Sequence, residues 1–167
     1  MNIITSVQLL IWTVYGLVVL LKFGWIPSLS HSHYEWKKEG WPRAFELPMA
    51  FVGALMWTYG FYNYEFWAQV MIACSGFGLC AVAIASEFQN EEDEEVGPIH
   101  YVGAVTAILF GFAGIKYQYG LEWGLWMFGV YLVICGGLKL IKGIGGAYTL
   151  IIEHIAFYMI AIRLLII

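Results

Sequence analysis

Charge is what this sequence has least of. Of 167 residues, 8 are Lys or Arg and 12 are Asp or Glu, so 12% are charged and 61% hydrophobic, against roughly 25% and 45–50% in ordinary soluble domains. That imbalance excludes a soluble globular chain. The few basic residues form no stripe, which excludes nucleic acid as a partner, because phosphates would have to be neutralised. Cysteine is scarce too: Cys74, Cys80 and Cys135 fall singly within apolar runs, where a lone cysteine behaves as a small hydrophobe, so no disulfide framework is indicated. There is no HExxH pair, the helical zinc-protease arrangement. No proline interrupts the interior of an apolar run, which argues against a substrate site built on broken helices.

What is present is apolar length. Runs of a length that crosses a bilayer, about 17–25 residues, are read at approximately 3–21, 47–63, 66–86, 98–116, 121–139 and 146–167. The expected fold is all-α, a polytopic transmembrane helix bundle of six spans forming one integral membrane domain over 1–167. The first run, MNIITSVQLLIWTVYGLVVLLK, has neither a basic n-region nor a small-x-small cleavage site, so it reads as a retained span rather than a signal peptide. Loops 1, 3 and 5 share one side and hold Lys22, Lys37, Lys38, Arg43, Lys139 and Lys142, against Lys116 and Arg163 on the other. Basic residues favour the cytoplasm, which places those loops there and both termini outside. The net charge of -4 comes mainly from Glu87, Glu91, Glu92, Asp93, Glu94 and Glu95, read as a solvated surface loop.

Span ends carry recognisable punctuation. Pro48 and Pro98 fall where a first helical turn is expected and a missing N–H costs nothing. Glu46, Glu65 and Glu122 sit near span starts, where the helix dipole favours a carboxylate. Trp25, Tyr34, Trp36 and Trp41 at one side, and Tyr59, Tyr62, Tyr64, Tyr117, Tyr119 and Trp123 at the other, form two interfacial belts. PMAFVGAL (48–55) and PIHYVGAV (98–105) share one pattern at an offset of 50. This raises a parallel repeat of hairpins, spans 2–3 and 4–5, beside the plainer reading of a small-residue bias common to membrane helices. Gly103, Ala104, Ala107, Gly111 and Gly114 recur at three- and four-residue steps on one helix face, of the kind along which membrane helices approach closely. His100 lies on that face.

Four histidines gather towards one side. His31 and His33 lie in the first loop, His100 opens span 4, and His154 follows Glu153 in span 6; Glu46 is on the same side. If SHSHYEW is extended, His31 and His33 point the same way, and imidazole with carboxylate suits zinc or a similar divalent ion. Such an ion would activate water, giving a membrane-embedded metal-dependent hydrolase. The plainer reading makes these residues interfacial or hydrogen-bonded groups that call for no cofactor. A third is a proton or ion path through Glu153 and His154, as in a small transporter.

With PSLS (Pro27 to Ser30) in the first loop and His-x-x-Gly-Ala (His100, Gly103, Ala104) opening span 4, the chain resembles the six-span DRAM-type family of eukaryotic membrane proteins. It is also similar to uncharacterised small polytopic proteins of bacteria and phages that have a Pro-Ser-x-Ser loop. Where the DRAM-type pattern has Asp after the serine, this chain has His31. The resemblance implies a non-enzymatic protein tied to lipid handling or membrane trafficking, with no catalytic residues to carry over. The leading expectation is therefore a non-enzymatic membrane component that contacts the lipid bilayer or another membrane protein.

Overall fold

The computed structural model describes residues 3–41, 43–63, 65–85, 98–119, 121–140 and 148–165. Among them every regular element is helical and no strand occurs: α1 (Ile3–Phe23), α2 (Ser32–Lys38), α3 (Arg43–Asn63), α4 (Phe66–Ala85), α5 (Pro98–Tyr119), α6 (Leu121–Leu140) and α7 (Tyr148–Leu165). Three of these are long and apolar enough to cross a membrane: α1, α4, and α5 over Pro98–Gln118. The acidic run 86–97, Lys142 and Tyr64 lie outside the described residues, as do the side chains of Tyr62, Tyr119, Glu122, Trp123 and Lys139.

Two local expectations are corrected. Pro98 is the first residue of α5, but α3 begins at Arg43, so Pro48 lies inside it rather than in its first turn. A helical turn has already closed through the Ala44 N–H to the Trp41 carbonyl at 3.0 Å. The first loop is not extended at the histidines either. The His33 N–H donates to Ser30 O at 3.0 Å and the Tyr34 N–H to His31 O at 3.1 Å, and α2 starts at Ser32. Residues two apart on a helix face apart, so His31 and His33 diverge. Gly40, with φ of +81°, ends α2 because a left-handed residue there lets the Trp41 N–H reach Trp36 O at 2.8 Å and the Gly40 N–H reach Lys37 O at 3.0 Å.

Small residues set how the helices stack. A Cβ on Gly53 would lie 2.7 Å from Gly76 O, and one on Gly78 would lie 2.6 Å from both Ala107 N and Gly103 O. Helix α4 is therefore pressed between α3 and α5, with Gly76 and Gly78 turned to opposite neighbours. Both Val-Gly-Ala segments pack on α4, Gly53 on the helix that follows it and Gly103 on the one that precedes it. On the other flank, α1 lies on α7, with the Trp12 ring stacked on Phe157 at 4.0 Å and 8°. Helix α6 is peripheral. Phe128 and Tyr131 pack against Phe112 of α5, while Gly129, Gly136 and Gly137 face open space.

Candidate functional site

Five helices and the first loop leave a cavity in the bundle. Each helix supplies one face at helical spacing: Phe45, Met49 and Met56 from α3; Ser75, Leu79 and Val82 from α4; His100, Ala104, Ala107 and Ile108 from α5; Glu153, Ala156, Phe157 and Ile160 from α7; with Trp12 of α1 and Leu29 and Ser30 of the loop. Alanines at 104, 107 and 156 leave the room. The space open to the centre of a water molecule is about 60 Å³, several times the roughly 10–15 Å³ that one water needs. Its α7 wall, Glu153 to Ile160, runs over ~10 Å at 1.5 Å per residue.

Its polar groups collect at one end. Ser30, His100 and Glu153 lie there; the deeper lining is apolar except for the indole N–H of Trp12 and for Ser75, whose hydroxyl donates to Ala107 O at 2.6 Å. The loop over the polar end is held to α7 by two bonds. The Leu29 N–H donates to Glu153 Oε2 at 2.8 Å, and the Leu150 N–H donates to Pro27 O at 3.0 Å. The second satisfies one of the N–H groups that a helix start leaves without an intrahelical acceptor. Within the loop, Ser28 and Ser30 hydroxyls lie 2.8 Å apart and the His31 N–H donates to Ser28 Oγ at 3.1 Å. Ser32 Oγ donates to Leu29 O at 2.5 Å, so the Tyr15 hydroxyl, 2.5 Å from Ser32 Oγ, is the donor in that pair. The Pro-Ser-Leu-Ser segment is thus a stitched cover rather than a free loop.

The histidines fall into four settings. His100 is buried at the polar end of the cavity. Among the described residues its ring enters no hydrogen bond or ion pair, and its aromatic contact is edge-on to Tyr101 at 6.2 Å. His33 Nδ1 lies 3.5 Å from Glu46 Oε1, beneath α2. His31 Nε2 lies 3.7 Å from Glu35 Oε1, a carboxylate that also receives Lys38 Nζ at 3.0 Å. His154 is outside the cavity lining, turned towards α1. Its Nδ1 is 2.9 Å from Leu150 O; a carbonyl only accepts, so Nδ1 holds the proton and Nε2 is left towards Gly16. Glu153 and His154, adjacent in sequence, thus serve different surfaces. Among the described residues, no three His, Cys, Asp or Glu side chains come together as a group that could hold a metal.

Sequence reasoning singled out His100, Glu153, Ala104 and Ala107, but not as neighbours across a cavity; it named Ser30 only as part of PSLS, and it missed Trp12 and the Leu29 N–H. A signal for Trp12 was available: a tryptophan at the middle of an apolar run is misplaced for an interfacial belt. Comparison with models of protein families, with curated proteins and with solved structures finds no match.

Proposed function

We propose that the chain is a six-span integral membrane protein, non-enzymatic, whose bundle binds a small apolar molecule drawn from the lipid phase. The cavity carries this reading: it is small and lined by methionine, leucine, alanine and aromatic side chains except at one end. In this reading α1, α3, α4, α5, α6 and α7 are the spans, and α2 lies at the interface. Exposed Trp25 and Trp41 flank it, and Lys22 Nζ lies 4.6 Å from the Trp36 ring centroid. The basic residues of the first loop put that side in the cytoplasm. The likeness of PSLS to the loop of DRAM-type proteins, which implies lipid handling, points the same way. A duplication of the α3–α4 and α5–α6 hairpins has the shared sequence pattern in its favour, while the different neighbours of Gly53 and Gly103 favour a local likeness.

Native mass spectrometry of protein released from bilayer nanodiscs tests the reading. One retained apolar molecule is expected on the natural protein and none on Ala104→Phe, which fills the cavity. Equal retention by both overturns it. Elemental analysis that finds stoichiometric zinc, lost in His100→Ala, would replace it with the metal-dependent hydrolase.

A further inference from the structure

We infer that the cavity selects a single-chain amphiphile with a neutral hydroxyl head, a long-chain alcohol in chemical class, and rejects carboxylate and phosphate heads. The inference rests on the cavity being a binding site and adds the identity of the group held at its polar end.

The polar end offers a specific set of partners. Glu153 keeps Oε2 on the Leu29 N–H at 2.8 Å, which leaves its other oxygen as an acceptor. His100, 6% exposed, lines the same space with no ring hydrogen bond among the described residues. A neutral imidazole offers one donor and one acceptor. Trp12 also lines the cavity, and its buried Nε1–H has no hydrogen-bond partner among the described residues. Buried polar groups are normally partnered, so a buried imidazole that lines the cavity and has no hydrogen-bond partner among the described residues leaves its ring nitrogens for a ligand.

The chemistry narrows what that partner is. Among the described residues no Lys or Arg lines the cavity, so there a carboxylate or phosphate head would meet a carboxyl group and no cation, and burying an unpaired charge is strongly unfavourable. An ammonium head donates only, so it answers Glu153 but offers nothing to an N–H of His100 or Trp12. A hydroxyl both donates and accepts. It can donate to the free Glu153 oxygen while accepting from the imidazole, with its chain running along Ala156, Phe157 and Ile160. With about 60 Å³ open to the centre of a water molecule, the space favours one chain over several.

The test is a titration of purified protein in nanodiscs with decanol, decylamine, decanoate and decane, followed by native mass spectrometry. Decanol is expected to bind at least ten-fold more tightly than each of the other three. In Glu153→Gln, whose amide keeps an acceptor and adds a donor, decanol should change by less than three-fold and decanoate should rise to within three-fold of it. Decanoate or decylamine equal to or tighter than decanol, or decane equal to decanol, overturns the head-group assignment while leaving the cavity as a site. If none of the four binds, the cavity reading fails as well.

Discussion

The carboxylate of Glu153 in α7 accepts the backbone N–H of Leu29, 124 residues earlier, at 2.8 Å. This one bond joins the cover of the cavity to its wall, and it satisfies a main-chain group that has little access to water. Removing the acceptor in Glu153→Ala leaves the Leu29 N–H without its partner, at a cost of about 1–3 kcal/mol. Glu153→Gln retains a carbonyl oxygen and should lose less than half as much. Thermal unfolding in matched nanodiscs measures both. A Gln variant as unstable as the Ala variant would show that the carboxyl group does something other than accept this bond.

The contact of Gly78 with α5 gives a prediction with its own control. An added methyl would meet the Ala107 and Gly103 backbones at 2.6 Å, and backbone cannot swing aside, so α4 and α5 must separate. Gly78→Ala should therefore destabilise by about 1–3 kcal/mol, the usual cost of overpacking. Gly136→Ala, where a Cβ meets nothing within 4 Å, should leave stability unchanged or raised. Thermal melts that rank the two the other way would remove the close approach from the account of the fold.

How much of this was legible before the structure depends on what a residue's role requires. Apolar runs are a matter of length, and helices α1, α4 and α5 fall within a few residues of runs read by counting alone. Gly103 and Ala107 could be placed on one face because helical period is a local property. Which helix that face meets is not local, and the meeting with Gly78 could not be read from either strand of sequence. The HxH pair misled for a related reason: alternate spacing implies a shared direction only on extended backbone. Here the carbonyls of Leu29, Ser30 and His31 are already turned into helical bonds with Ser32, His33 and Tyr34. The cavity was least legible. Its lining comes from six stretches scattered between Trp12 and Ile160, and only their assembly puts Glu153 near Ser30 and His100.

The proposed sidedness can be tested at the lysines of the first loop. Lys37 and Lys38 form the last turn of α2 and Lys22 lies beside it, where Lys22 pairs with Glu39 at 3.2 Å and Lys38 with Glu35 at 3.0 Å. In a background with Cys74, Cys80 and Cys135 replaced by serine, a cysteine at Lys38 should react with a membrane-impermeant maleimide only after cells are permeabilised. A cysteine at Glu65, at the opposite end of α3 and exposed, should react in intact cells. The reverse pattern would invert the orientation without touching the cavity.

The crossing of α1 and α7 turns on Gly16 and His154. A Cβ at Gly16 would lie 2.5 Å from His154 Nε2, and the imidazole has little freedom to retreat. Its Nδ1 is tied to Leu150 O at 2.9 Å and its ring stands edge-on to Trp12 at 5.7 Å. Gly16→Ala must therefore break the Leu150 bond or push the helices apart, a loss of about 1–3 kcal/mol. In His154→Ala the obstacle is gone, so adding Gly16→Ala there should have almost no further effect. The two substitutions form a double-mutant cycle whose coupling should lie in the roughly 0.5–3 kcal/mol range of residues in contact, read from thermal unfolding in nanodiscs. Additive effects would mean that Gly16 is required for a neighbour other than His154.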